Sequence, residues 1–273
     1  TVGILRFVSE KILFSLYQTA MLLAMDNPYI IDKKEGETPL EAIRRLRVQH
    51  QRLDKEKMTY AGRLDPMAEG LLMVLWGDKV HEKEAFLGLD KEYELDVLLG
   101  ISTDTGDILG VVQGHTTPSS LRESTPPQRE GRLKMVLKTF LGKFEQEYPD
   151  YSSQTVDGKQ LWRHARDGKN VKKPSKNVEI YAISLLSEYE LTKNELKKLI
   201  FERISIISGD FRQKKILQKW EEFFEKTEIA SFPVISVKVS CSSGTYMRVL
   251  AENIGKTLGF PALAWRIRRT KVG

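Results

Sequence analysis

Tyr60-Ala61-Gly62-Arg63-Leu64-Asp65-Pro66-Met67-Ala68-Glu69-Gly70-Leu71-Leu72 sets a lone aspartate between a glycine turn and a proline, with an apolar run close behind. Pro66 disfavours the α region for Asp65 and pushes it toward extended backbone. The proline also suits the first position of a short helical turn over Met67 to Glu69. Leu71 to Trp76 (LLMVLW) is an unbroken apolar run of strand length and reads as a buried strand. The Asp65 carboxylate is therefore expected on a stiff loop at the rim of a sheet, a good place for a reactive group. On its own the loop reads first as an Asp-Pro turn and only second as a site.

Upstream, Pro28 to Asp32 is a short apolar strand, followed by Thr38-Pro39-Leu40-Glu41, which has the form of a capping box with proline at the first helical position. The helix behind it should turn Leu40, Ile43 and Leu46 inward and Arg44, Arg45 and Arg47 outward. Downstream, Tyr93, Leu95, Val97 and Leu99 alternate with polar residues, the pattern of a half-buried strand with Tyr93 on its apolar face. Gly114 to Gly131 reads as a loop, and a helix is expected around Leu133 to Leu141. Leu191 to Lys226 reads as Lys- and Glu-rich helices with Leu196, Leu199, Ile200 and Ile204 as core stripe. Val234 to Cys241 alternates as a strand and turns into a helix read as capped by Thr245. Met247, Leu250, Ala251, Ile254 and Leu258 form that helix's apolar face, and Gly259 stops it. Arg248 falls in the first turn, where the helix dipole disfavours a cation. A local rule broken in this way points to a task elsewhere in the fold.

The composition, 41% hydrophobic and 29% charged, is that of a soluble globular protein, and the net charge of +6 suits a polyanionic partner. A single cysteine, Cys241, excludes an intramolecular disulfide and any multi-cysteine zinc site. The four histidines form no H-E-x-x-H pattern, and no Gly-rich nucleotide-binding signature is present, so neither metal nor cofactor is expected. Thr1 to Met25 stands apart: its apolar stretch, Ile12 to Met25, is too short for a membrane span. It is read as a peripheral, helical extension.

The segment around Asp65 resembles the G-x-L-D-P-x-A-x-G-L-L signature of the TruB-type tRNA pseudouridine synthases. Further segments fall in that family's order. Lys33-Lys34-Glu35-Gly36 resembles D-K-P-x-G, with Lys34 in the proline's place. Lys91-x-Tyr93 with Leu99-Gly100-Ile101-Ser102-Thr103-Asp104-Thr105-Gly106-Asp107 resembles K-x-Y…LG-x-x-T-x-T-x-D. Tyr148 to Gly168 resembles P-P-x-Y-S-A-x-K-x-x-G-x-x-L-Y-x-x-A-R-x-G, with Asp150 replacing a proline and Thr155 a lysine. Cys241 to Ala251 is similar to C-S-x-G-T-Y-I-R-S-L-A, and the C-terminal segment to L-R-R-T-x-x-G.

The resemblance implies an α+β fold: a mixed, largely antiparallel sheet flanked by helices, in one catalytic domain over residues 26–273. It also implies an RNA-binding insertion at about 145–175; the small C-terminal RNA-binding module often appended in this family is read as absent or cut off after the last strand. It implies an isomerase that converts uridine 55 in the T loop of tRNA to pseudouridine, cytoplasmic and monomeric, with no membrane association. Asp65 would be the nucleophile, Arg248 its ion-pair partner, and Tyr93 a platform under the target base that also helps to remove the C5 proton. Lys33, Tyr60, Arg63, Tyr151, Arg163, Arg166 and Ile267 would line the RNA path or pack around the pocket. Tyr60-Ala61 stands where the family has His-Thr or His-Ser, a histidine linked to base flipping. Two other readings are a pseudouridine synthase of another family acting on other RNA, and a non-catalytic tRNA-binding or folding module. The latter would need neither Asp65 nor Arg248.

Overall fold

A computed structural model describes residues 27–50, 53–118 and 125–273, so the extension expected over Thr1 to Met25 lies outside the described residues. The helix α1 (Pro39–Gln49) starts as the sequence dictates. Thr38 Oγ1 accepts from Glu41 N, and the Glu41 carboxylate accepts from Thr38 N, closing a capping box with Pro39 in the first turn. Ala42, Ile43 and Leu46 face inward, but Leu40 is 56% exposed, one position off the stripe that α1 lays on β1 (Tyr29–Lys33).

The other strands are β2 (Met58–Ala61), β3 (Ala68–Trp76), β4 (Lys91–Leu99), β5 (Ile101–Thr103), β6 (Val112–His115), β7 (Gly142–Glu147), β8 (Thr155–Val156), β9 (Lys159–Gln160), β10 (Ser175–Thr192), β11 (Ser231–Cys241) and β12 (Ala262–Val272). The remaining helices are α2 (Lys83–Leu87), α3 (Pro126–Lys138), α4 (Leu161–Arg166), α5 (Lys193–Ser205), α6 (Gln213–Lys226) and α7 (Met247–Leu258). An eight-stranded sheet runs β1-β3-β12-β4-β11-β10-β7, with β2 also paired to β3. Every neighbour is antiparallel except β3 with β12. The fold is α+β, with helices on both faces of the sheet. Because side chains alternate along β4, Tyr93, Leu95, Val97 and Leu99 join α3 and α7 on one face, while Leu98 joins α5 and α6 on the other.

Several local expectations give way to tertiary context. No helical turn follows Pro66. Ala68 N donates to Asp65 O in a tight turn, and the strand starts at Ala68 because its parallel partner β12 pairs from Ile267 opposite Ala68. The helix expected from Leu133 begins at Pro126, on a second capping box between Thr125 and Gln128, and Gly131 sits in its solvent-facing side. The 18-residue β10 is half exposed along most of its length and so lacks a clean alternation. Thr245 does not cap α7: its hydroxyl donates to Ser242 O, and the Gln146 side chain holds the helix start through the N and O of Tyr246. Among the described residues no helix is long and apolar enough to cross a membrane.

The one parallel pairing brings β12 against the strand that follows the Asp65 loop. At Gly70, with φ +103°, a Cβ would lie 2.3 Å from Arg269 O, so the close approach of β3 to β12 needs glycine there. Gly70→Ala is expected to destabilise the protein by about 2–4 kcal/mol through strain and forced strand separation, read as a lower midpoint in denaturant. An unchanged midpoint would mean the two strands can part without loss.

Candidate active site

The loop from Gly62 to Leu71 is gripped from both sides by buried cations that bind its backbone. Lys33, at the end of β1, points its ammonium at Lys34 O (3.0 Å), Pro66 O (3.4 Å) and Ala68 O (2.5 Å). Gly36 N also donates to Pro66 O at 2.9 Å. Arg269, on β12, donates from Nη2 to Gly62 O (3.0 Å) and from Nε to Leu71 O (2.6 Å). Leu64 is buried in the core between these grips. Asp65 is thus presented on backbone fixed at four carbonyls, with its side chain 31% exposed.

Arg248 meets it from the first turn of α7. Nε donates to Asp65 Oδ2 at 2.8 Å, Nη1 to Thr105 O at 2.5 Å and Nη2 to Tyr151 O at 3.0 Å. The guanidinium is 4% exposed and also lies 3.9 Å from Asp107 Oδ2. Burial disfavours its charge, but Asp65 and then Asp107 hold the Arg248 pKa above its ordinary value. Asp107 is itself pushed up by burial, against the lowering field of Arg248. Its Oδ1 accepts from Leu109 N and Thr105 Oγ1, which closes the Thr103–Gly110 loop around the arginine. A cation at the unfavourable end of a helix is thus explained by two carboxylates and two carbonyls in the same pocket.

Two phenols lie within the field of the Asp65 charge. Tyr93 is buried, with its hydroxyl against Arg269 and within the field of Asp65; desolvation raises its pKa, which keeps it a neutral phenol. Tyr246, just before Arg248, has its pKa pushed up to about 12 by burial and then by the Asp65 charge. Its ring stands edge-on to Tyr148, with centroids 5.6 Å apart.

Of the residues singled out in the sequence, Asp65, Arg248 and Tyr93 converge, with Ile267 buried beside them in the same cluster. Tyr151 joins them through its carbonyl; its hydroxyl donates to Asp104, and burial and then Asp104 push its pKa to about 12. Tyr60 and Arg63 lie at the rim, with Arg63 Nη2 donating to the Tyr60 hydroxyl at 3.0 Å. Arg163 and Arg166 lie farther out on α4, exposed, with both guanidiniums over the Trp162 ring. Lys33 faces inward and is fully buried: it holds the loop and cannot reach a ligand. Sequence reasoning assigned no part to Asp107, Arg269 or Tyr246, although all three fall inside quoted motifs. The signal for Asp107 was the Thr-x-Thr-x-Asp spacing, which builds an Asx-type turn. No group of His, Cys, Asp and Glu side chains suited to a metal occurs among the described residues.

This fold occurs in a solved structure described as "Crystal Structure of a Cbf5-Nop10-Gar1 Complex". The match has a TM-score of 0.51 at 21% identity and covers 89% of this chain and 48% of that one. The model for "TruB family pseudouridylate synthase (N terminal domain)" matches residues 50–199. A tRNA pseudouridine synthase B from Bordetella avium (strain 197N) is 31% identical over 249 residues, spanning 91% of this chain and 82% of its own. One from Azoarcus sp. (strain BH72) is also 31% identical, and there the chain spans 65% of the relative's length. The chain belongs to the TruB family of pseudouridylate synthases, enzymes that isomerise uridine to pseudouridine.

The Lys33 grip has a pH signature. Burial lowers the Lys33 pKa from 10.5 to about 8, against Glu37 and Asp65, which raise it. From about pH 8 to pH 10.5 the unfolded chain therefore binds more protons, and the Lys33 contribution to stability rises with pH; below about pH 8 it is constant. Between about pH 7 and pH 10 the wild type should gain on the order of 2–3 kcal/mol relative to Lys33→Met in denaturant titrations. A pH-independent difference would mean that the ammonium is not desolvated.

Proposed function

We propose that this chain converts uridine 55 in the T loop of tRNA to pseudouridine, with Asp65 as nucleophile. The observation that carries the reading is the Arg248–Asp65 pair: an oriented carboxylate, part open to solvent, on a guanidinium that is almost wholly buried. The tRNA substrate follows the names of the relatives, and the T-loop target follows the motif resemblance.

The chemistry suits so sparse a site. Exchanging an N-glycosidic for a C-glycosidic bond leaves the oxidation state and the atom count of the nucleotide unchanged. The Asp65 carboxylate adds to the nucleotide, and the bond from N1 of uracil to the sugar breaks with its electron pair on the base. The freed base turns, C5 bonds to the sugar, C5 loses a proton while N1 gains one, and the carboxylate is released. Arg248 keeps the Asp65 carboxylate aimed throughout, through the bond from Nε. Tyr93, kept neutral by burial, offers a ring on which the turning base can stack, a role that fits a phenol better than proton removal does. The nucleotide must leave its stack to reach Asp65. Tyr60 and Arg63 at the rim, and Arg163 and Arg166 beyond them, offer stacking and phosphate contacts on the way in. The chain works as a monomer in the cytoplasm on this reading.

Incubating the protein with a T-arm stem-loop and mapping pseudouridine in the product tests the proposal directly. Asp65→Asn should abolish turnover, by at least about 10⁴-fold, while RNA binding survives. Measurable single-turnover product from that variant would remove Asp65 as nucleophile. Arg248→Met should lower the rate by about 10²–10³-fold, with Arg248→Lys recovering only part, because an ammonium lacks the planar fork that also holds Thr105 O and Tyr151 O. Equal rates for wild type and Arg248→Met would show that the pair is structural only.

A further inference from the structure

β10 and β11 remain paired up to Thr192 opposite Ser231, and Lys193 N still donates to Ala230 O at 2.8 Å. Two strands closing in this way need only a short turn. Instead residues 193–230 leave the sheet as the α5–α6 hairpin, and nothing in the chemistry of Asp65 uses it directly. The hairpin is nevertheless fastened to the active-site loops. Trp220 Nε1 donates to Ile108 O at 3.1 Å, one residue from Asp107. Arg212, just before α6, grips Asp104 with both Nη atoms (2.7 and 3.2 Å), and its guanidinium lies 4.4 Å from the centre of the Tyr151 ring. Arg166 on α4 bonds Asp210 at 2.7 Å. The α5–α6 connection therefore abuts the segment whose Tyr151 carbonyl receives Arg248.

The charge along α6 runs against its own helix. Lys214 and Lys215 occupy the first turn, where the dipole disfavours cations, with no side-chain cap and no acid beside them; Glu221, Glu222 and Glu225 follow toward the other end. Both lysines are exposed, and neither forms an ion pair or hydrogen bond among the described residues. They border a shallow depression of about 400 Å³ that Asp210, Arg212 and Gln218 also line. Across the Arg166–Asp210 contact lie the exposed Arg163 and Lys169. Arg166, Lys214 and Lys215 thus gather around Asp210 as one basic ridge, joined to Asp65 through Arg248, Tyr151, Asp104 and Arg212 in turn.

We infer that the α5–α6 hairpin is a second RNA-gripping arm. On this inference Lys214 and Lys215, with Arg166, hold phosphates of the same RNA whose target nucleotide sits at Asp65. It rests on the proposed function above. A backbone with one charge per nucleotide matches Lys214 and Lys215, which have no ion-pair partner among the described residues. Arg166 can exchange Asp210 for a phosphate, because Asp210 is 78% exposed and such a surface pair contributes little. RNA is favoured over an acidic protein by position: a nucleic acid seated at Asp65 must continue past Tyr151, beside the ridge.

The test uses the full chain carrying Asp65→Asn, so that RNA is bound but not turned over. Affinity for a T-arm stem-loop is measured across a salt series. Lys214→Ala/Lys215→Ala should weaken binding by about 10-fold at low salt and reduce the log–log salt slope by about 1–2 units. Lys214→Arg/Lys215→Arg should keep both. Lys198→Ala/Lys226→Ala, an equal charge loss elsewhere on the hairpin, should leave the slope unchanged. An unaltered slope in the 214/215 alanine variant overturns the inference, as does an equal fall in the 198/226 control. Thermal melting of each variant separates either result from unfolding. If the unsubstituted chain neither binds nor modifies the stem-loop, the proposed function fails and the arm falls with it.

Discussion

Arg248 is the charge on which the rest of this structure turns. It is almost fully buried, and a lone guanidinium in that position would be strongly destabilising. It is tolerated because four residues from three separate segments supply oxygen: Asp65 from the β3 loop, Thr105 and Asp107 from the turn after β5, and Tyr151 from the segment between β7 and β10. Removing any of these would leave a buried donor or charge unmet. The arginine therefore fixes the relative positions of parts of the chain that are far apart in sequence, and the setting of Asp65 follows from that.

The carboxylate is held less by its partner than by its backbone. Lys33 and Arg269 bind carbonyls of the Gly62–Leu71 loop, and Lys91, its pKa lowered to about 8 by burial and then by Arg269, binds Leu87 O and Leu89 O nearby. These cations bind carbonyls and form no ion pair within salt-bridge distance, so their hydrogen bonds are spent on fixing the backbone.

The 148–174 segment and the α5–α6 hairpin are physically coupled to Arg248. The Tyr151 carbonyl binds Arg248, and its hydroxyl binds Asp104, which in turn holds Arg212 at the start of α6. Displacing the 148–174 segment would therefore strip a hydrogen bond from Arg248 and disturb the α5–α6 hairpin together.

Much of this was legible in the sequence, because local rules suffice where a pattern is local. The capping box at Thr38, the alternation of Tyr93 to Leu99, the glycine stop at Gly259 and the Pro66 constraint on Asp65 all follow from neighbouring residues. The out-of-place Arg248 even announced that it had a distant partner. What the sequence could not decide was which groups would share that partner. Asp107 reads as a turn former until Arg248 lies beside it, Lys33 as a surface cation until β1 buries it against Pro66 and Ala68, and Thr245 as a cap until Gln146 arrives from β7. The length of β10 and the start of β3 were likewise set by the strands they pair with. Backbone preference acts over a few residues, whereas burial and charge pairing depend on what the folded chain brings into contact, and that is where the site was decided.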